Sequence, residues 1–544
     1  LRHEAATGAG VTDLAAEVVV LGGGLAGLSA AIEARRAGRD VLLLCKGLAG
    51  RGGNSLVAAG NLSGVHPGIG DDEETFVRDT LAGGKEIGSP ALVRVLARGS
   101  REVVPFLESC GVGFARAEGR VACGANPGHS RPRTVCLAAS GRPASVAGLG
   151  LTAPVLEEAR RLGVRFQEGT AAVRIERDGG RAAGVTAVGL HGLVAVTAGA
   201  MVLASGGGAR VYAHTNNAAD ATGDGILLAY EAGAELGDLE FGQFYPTMGF
   251  WPLRAVFPTT LFAEGAVLRD RDGERFLLRS GASDEAAVTR DEMSRAVLRE
   301  VASGRGVRGG VLLDLSAVSP EVARDRCGGL WRALARRGLD PAKESVVVGP
   351  CAHFLMGGVT IRPDAATTVP GLFAAGEVTG GVHGANRLGG NALTEAVVFG
   401  RIAGASAARE AVEAPPLEPR GDGVSLGRDD EGLGLIAREV RALTWEHAGL
   451  LRSEDGLREG LRRLGQVRGA WMDDERGFTR RGLEVRSLLT LSRLILESAL
   501  ARTESRGAHW RCDFPSLDDG NWRGSLQARR GEDGEPALRY VAAG

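Results

Sequence analysis

Residues 376–393 read GEVTGGVHGANRLGGNAL. Glu377, His383, Asn386, Arg387 and Asn391 stand there among closely spaced glycines. Glycine loses the most freedom on folding, so such a backbone is expected where the chain turns tightly or lies against a ligand. Charged and amide groups set into it point to a large ligand wrapped by main chain and held by a few side chains. The chemistry implied at this stage is binding, and the remaining sequence has to say of what.

Two further stretches supply elements that could position such a ligand. EVVVLGGGLAGLSAAIEARRAGRDVLLLCKG, from Glu17, has the order strand, glycine turn, helix, strand. Its apolar run predicts a buried strand over Val18–Leu21 and a small-residue helix over Leu28–Arg36. Gly22, Gly24 and Gly27, with Leu25 and Ala26 between them, form the turn of a dinucleotide fold. There a pyrophosphate rests on the free N–H groups and dipole of the helix start. The second strand, VLLLC, ends in Lys46, where such folds generally place an acid for a ribose hydroxyl. A second strand ending in glycines, VLASGGG, includes Gly206, and Ala221–Gly225 (ATGDG) leads into a predicted helix, ILLAYEAGA.

Taken in order, VLASGGG, ATGDG, EFGQFYPT, GEVTGGVHGANRLGGNAL and RTESRGAHWRCDFPSLDDGNW resemble the linked signatures of the succinate dehydrogenase, fumarate reductase and L-aspartate oxidase flavoproteins. The matches run from about residue 17 to 522. The resemblance implies FAD. Gly22, Gly24, Leu25, Ala26 and Gly27 would hold its pyrophosphate, and Gly60 and Gly206 belong to the same cofactor segments. Lysine is common in the family at the place of Lys46. Asp224 would serve the adenosine ribose, Glu377 the ribityl chain, and Asn391, Ala392 and Leu393 the N1–O2 edge of the flavin. Asn54 or Ser55 stands near the place of the histidine that ties the flavin covalently in some members, which implies noncovalent FAD. Arg387 and His383 would turn toward the catalytic face. For Asn386 and Asn391, contact with the ligand and loop-fixing bonds to the backbone are both open.

On the substrate side the resemblance assigns Arg290, in VTRDEM, as a proton carrier to substrate carbon. It makes Arg387 the grip on a carboxylate, by a two-pronged bond, and His353, in CAHFLMGG, an orienting group. Two departures stand out. The family's histidine in Q-F-H-P-T is Tyr245 here, a neutral phenol near pH 7. The segment like T-E-x-x-R-G-E-G reads PTTLFAEG, with Glu264 fitting either the first or the last glutamate and no arginine in either case. The implied function is an FAD-dependent oxidoreductase of the fumarate reductase/succinate dehydrogenase type. It would move hydride between flavin N5 and a C–C bond beside a carboxylate of a small mono- or dicarboxylate, and pass electrons through a partner. The alternatives are L-aspartate oxidase and a non-catalytic electron-relay flavoprotein.

Composition excludes little but bounds the rest. The chain has 544 residues, is 44% hydrophobic and carries a formal charge of −2, which gives no electrostatic reason to expect nucleic acid. Lys46, Lys85 and Lys343 are the only lysines, so arginine supplies nearly all positive charge throughout the chain. The seven cysteines are scattered singly without a C-x-x-C, so no cluster or cysteine zinc site is expected, and reduced thiols fit a cytoplasmic setting. No transmembrane segment is expected. Attachment to the inner face of a membrane through an iron–sulfur electron-transfer subunit is compatible with the family. The expected architecture is α/β. A Rossmann-like FAD-binding domain (17–236 with 350–412) would carry an inserted α+β capping domain (237–349). A linker (413–430), a helical bundle (431–512) and an extended C-terminal tail (513–544) would follow.

Overall fold

The computed structural model of the chain describes residues 11–138, 146–279, 281–413, 431–472 and 479–542. The expected linker lies, but for its first residue, outside the described residues. At the centre is a mixed sheet in the order Arg165–Gln167, Val41–Leu44, Thr12–Leu21, Gly192–Leu203, Arg181–Gly189, Ala171–Asp178. Leu372–Ala374 runs parallel beside the end of Gly192–Leu203. The first strand is longer than its apolar run, because residues 12–16 also pair in parallel with Val194–Ala198. Its core, Val18–Val20, is fully buried, as a strand covered on both faces requires.

The helix after the first turn begins at Leu25, three residues earlier than its apolar pattern suggests. Gly24 is extended and ends the turn, so Leu25–Gly27 are already helical. This helix, Leu25–Arg36, packs on the long helix Asn391–Glu410. The approach is close because a Cβ at Gly400 would fall 2.5 Å from the Ala26 carbonyl oxygen, and one at Gly404 2.1 Å from that of Ala30. The GGNAL end of the glycine-rich loop is thereby fixed against the first dinucleotide helix.

A second, antiparallel sheet in the order Gly242–Trp251, Val346–Leu355, Val311–Asp314, Val267–Arg269 forms the cap. It has its own apolar core, including Phe257, Leu268, Val297, Leu313 and Val348. The helix Arg290–Ala302 lies on this sheet and starts with a capping box, Thr289 and Glu292 bonding each other's backbone.

Three helices follow in the C-terminal part: Glu431–Ala448, Glu454–Met472 and Arg480–Ala501. The segment expected to be an extended tail instead ends in a hairpin, Gly524–Arg530 with Pro536–Ala542. Its inner strand pairs with Leu236–Gly237. The reason is a short alternation, with Leu526 and Ala528 buried between half-exposed Ser525 and Gln527. Just before it, a buried ionic network fixes residues 502–519. Arg502 Nε donates to Glu240 Oε1 at 2.6 Å and Nη1 to Glu504 at 3.0 Å, and Arg506 reaches Glu504 at 2.7 Å and Asp519 at 2.8 Å. All seven cysteines are unbridged.

Candidate active site

The nucleotide end is built from the two glycine turns. Gly22 has φ +125°, and a Cβ there would lie 2.2 Å from the Ala204 carbonyl oxygen, so only glycine fits between the two strand ends. Gly24 differs. The nearest atom to a Cβ at that position is Ser55 Oγ at 3.2 Å, and no side chain caps the helix it opens. Leu25 N donates to Ser55 Oγ at 3.1 Å, and Ala26 lies buried in the same turn. Gly206, at φ +79°, has nothing within 4 Å of its missing Cβ. Gly60 faces the other way and packs on Leu137. An uncapped helix start beside open glycines is an anion cradle.

Lys46 lies next to these turns. Its Nζ is 2.7 Å from Asp224 Oδ2, 3.0 Å from Glu484 Oε1 and 2.8 Å from Thr222 Oγ1. Burial opposes the charge on Lys46, but Asp224 and Glu484 more than offset it and raise its pKa above the ordinary value. Beside this cluster opens a cavity of about 630 Å³ lined by Gly47, Arg51, Asp220, Arg480 and Glu484, a size typical of ligand sites.

The middle of the site holds Glu377. Asn54 Nδ2 donates to its Oε2 at 2.8 Å and Leu355 N to its Oε1 at 3.3 Å. Burial pushes its pKa up to about 7, against the pull of these two donors. Asn54 also bonds Asn217 Oδ1 at 2.7 Å and accepts from Ala218 N at 3.0 Å, so it is braced from both sides. The helix Asn391–Glu410 starts behind Gly390, which is left-handed at φ +83° and offers no side-chain cap. Asn391 is fully buried, with its amide on Thr80 Oγ1 at 3.3 Å and Oδ1 without a partner. Ala392 and Leu393 stay half-buried in that first, uncapped turn. The orphaned carbonyl and the open helix start suit a flat ring edge that both accepts and donates hydrogen bonds.

The catalytic candidates converge at the junction of cap and glycine loop. Tyr245 and His353 lie on the two paired cap strands with ring centroids 5.5 Å apart. Arg290, at the first helical position after Thr289, places its Cζ 5.0 Å from the Tyr245 ring and donates from Nε to Thr259 Oγ1 at 3.4 Å. Thr259 N in turn donates to the Tyr245 hydroxyl at 2.9 Å. Of the altered segment 259–264, the structure thus brings Thr259 to Arg290.

Arg387 is 8% exposed, with Cζ 4.6 Å from the Phe354 ring and Nη2 donating to Gln243 Oε1 at 3.0 Å. Gln243 spends its own amide on Asn386 Oδ1 at 2.7 Å and on the Arg387 carbonyl at 2.9 Å. Asn386 Nδ2 reaches Asp291 Oδ2 at 2.8 Å, joining the loop to the cap helix. Both asparagines therefore bond side chains and not their loop's backbone. Burial, then Arg290, lowers the Arg387 pKa to about 10. Burial, then Arg387 and Arg290, holds His353 far below its usual value, so its imidazole is neutral. Among the described residues, neither Arg290 nor Arg387 has a carboxylate partner within 4 Å.

One expectation fails here. His383 does not turn to the catalytic face but is 3% exposed, with Nε2 3.1 Å from Glu395 Oε2 and its ring edge-on to Phe354. Gln243, Thr259 and Asn217 were not singled out from sequence. Gln243 could have been, because it stands two residues before Tyr245 on the same strand, whereas nothing local marks Thr259.

The fold and these two ends describe an FAD-binding α/β oxidoreductase, and the residues present fit that cofactor. The family profile described as FAD binding domain matches residues 17–393, and that described as fumarate reductase flavoprotein C-term matches residues 437–543. An L-aspartate oxidase of Caulobacter vibrioides is 35% identical, over 96% of this chain and 98% of its own length. A fumarate reductase (CoM/CoB) polypeptide of Methanothermobacter marburgensis is 32% identical, over 94% and 97%. Among solved structures, a FrdA variant of E. coli quinol fumarate reductase superposes with TM-score 0.87 at 28% identity, over 98% of this chain and 97% of that one. Sdh1 of Mycobacterium smegmatis in complex with UQ1 gives TM-score 0.85 at 31% identity, over 98% and 94%. The chain belongs to the succinate dehydrogenase/fumarate reductase/L-aspartate oxidase flavoprotein family, and is an FAD-dependent oxidoreductase of the kind that acts on CH–CH bonds.

Proposed function

We propose that this flavoprotein holds FAD noncovalently and reduces or oxidises the C–C bond beside a carboxylate of a small dicarboxylic acid. Arg290 is the proton carrier. The observation behind this reading is two guanidinium groups, one of them buried, that flank a neutral histidine and lack an acid of their own among the described residues. A buried cation without a counter-ion is costly. An anionic substrate supplies what the protein leaves out.

FAD, when bound, supplies hydride exchange at its N5. The chain's own groups do the rest. Arg387, aimed by Gln243 and stacked on Phe354, grips a carboxylate through its fork. His353, neutral and braced by Asn216 at 3.0 Å, offers a hydrogen bond without adding charge. Arg290, against the Tyr245 ring, passes the proton at the carbon next to the one exchanging hydride. Arginine has a pKa above about 12 in water, so this needs a site closed to water and a resupplying group. Thr259, whose hydroxyl accepts from Arg290, is the first group along that route. Asn54 and Ser55 brace Glu377 and the first helix at the place of the histidine tether, and neither can form that tether.

Electrons then pass to or from a separate iron–sulfur protein at a membrane's inner face. Two facts support this. The cysteines lack cluster spacing, and no helix among the described residues is long and apolar enough to cross a membrane. A second reading, oxidation of L-aspartate, has the support of relatives so named. The test is anaerobic. The flavin is reduced chemically, fumarate and other unsaturated acids are added, and recovery of oxidised-flavin absorbance is followed. Recovery with fumarate that Arg290→Ala slows by about a thousandfold supports the proposal. Peroxide release with L-aspartate would favour the second reading, and no response to any acid would sink both.

A further inference from the structure

We propose that Glu484, on the C-terminal helix Arg480–Ala501, is a positioning residue for the adenosine half of FAD. It stands in for the acid that this dinucleotide fold lacks at the end of its second strand. The inference rests on the placement of Lys46 and Asp224 at the nucleotide end, argued above. Folds of this type generally end the second strand in a carboxylate that binds ribose hydroxyls. Here that position is a lysine, and two acids from elsewhere surround it, Asp224 at 2.7 Å and Glu484 at 3.0 Å. One ammonium between two carboxylates leaves one net negative charge, so the sign that the strand end lost is restored.

Glu484 is the member of this trio that reaches the open space. Asp224 has its Oδ2 on Lys46 and its Oδ1 on Thr222 Oγ1 at 2.7 Å. Neither Asp224 nor Lys46 lines the cavity of about 630 Å³, whereas Glu484 does. Its side chain is 24% exposed, against 13% for Asp224 and 11% for Lys46. A polar ligand entering from that cavity therefore meets Glu484 first.

The helix is also held in register with the nucleotide loops. Arg480 Nη1 donates to the Lys46 carbonyl at 3.2 Å, and Thr479 caps the helix start by accepting from Gly482 N at 2.9 Å. Further along, Leu491 Cδ2 lies 2.3 Å from where a Cβ on Gly208 would be and 2.8 Å from one on Gly223. Those glycines belong to the two loops that follow VLASGGG and precede Asp224. Their bareness lets the helix seat, and the seat places Glu484.

The test compares FAD with FMN, which lacks the adenosine half, in fluorescence titrations of apoprotein. Glu484→Gln should weaken FAD binding by about tenfold, the size of one charge-assisted hydrogen bond, and leave FMN binding unchanged. Glu497→Gln breaks the pair with Arg493 on the same helix and should alter neither. Equal losses for FAD and FMN in Glu484→Gln would mean general loosening and overturn the proposal. So would FAD affinity within twofold of the parent. In that last case Asp224→Asn separates the causes: if it weakens FAD binding, only the role of Glu484 falls, and if it does not, the placement of the nucleotide falls as well.

Discussion

Two groups of buried arginines in this molecule are built on opposite plans. Around residues 502–511 every guanidinium has acids or carbonyls. Arg502 meets Glu240, Glu504 and the carbonyls of Trp522 and Gly524, and Arg511 meets Asp513 and three carbonyls. Burial alone would lower the Arg502 pKa, yet Glu240 and Asp238 reverse it and raise the value. At the cap junction Arg387 has only a glutamine, a carbonyl and an aromatic face, and burial and its cationic neighbour win, lowering its pKa. Arginine is nearly the whole positive inventory of this chain, so residue type says nothing about role. What separates a structural arginine from a functional one is whether the protein supplies its counter-ion.

Two leucine substitutions break that comparison most sharply. Arg387→Leu removes an unpaired buried cation, so the apoprotein's thermal stability should stay level or rise while turnover of the acid substrate falls about a hundredfold to a thousandfold. Arg502→Leu strands Glu240 and Glu504 in the interior and should cost about 3–5 kcal/mol in chemical denaturation, because breaking a buried pair leaves an uncompensated charge. If Arg387→Leu instead unfolded the protein, the cap junction would be a second structural network and the contrast would be lost.

How much of this was legible in the chain follows from which forces are local. The glycine turns were readable because a missing Cβ is a local demand: Gly22 and the Ala204 carbonyl leave no room for another residue. Tyr245, His353, Arg290 and Arg387 could be singled out from short linked motifs, and the structure brings them together. The partners of Lys46 could not be found that way, since Arg480 lies 434 residues further on. His383 misled because a histidine in a polar glycine loop looks exposed, and only the fold shows Glu395 one helix turn inside Asn391 taking its proton. The C-terminal hairpin was missed because its alternation spans only a few residues and its pairing strand, Leu236–Gly237, is far away in sequence.

A smaller effect sharpens the contrast through pH. Glu377 is among the acids close enough to stabilise the charge of Arg387, and burial holds its own pKa up at about 7. A carboxyl that is more protonated folded than unfolded makes the native state lose stability as pH rises from its ordinary value near 4.5 to about 7. Thermal melts of the apoprotein should therefore fall across that window, and Glu377→Gln, which mimics the protonated form, should flatten the fall. An unchanged slope would show that Glu377 is already ionised and that the arginine pair is not as bare as argued.

The smallest expected effect dissects Tyr245, whose ring and hydroxyl do different things. The ring lies under Arg290 with Cζ 5.0 Å from its centre, a contact that lets the guanidinium shed water without meeting an acid. The hydroxyl accepts from Thr259 N at 2.9 Å and so places the residue whose own hydroxyl touches Arg290. Tyr245→Phe keeps the first role and loses the second, one neutral hydrogen bond of about 1 kcal/mol, so kcat should fall less than about tenfold with KM little changed. Tyr245→Ala loses both and should fall further. If the two variants were equally impaired, the hydroxyl would carry the whole effect, and Arg290 would owe its position to Thr259 and not to the aromatic face that takes the place of an acid.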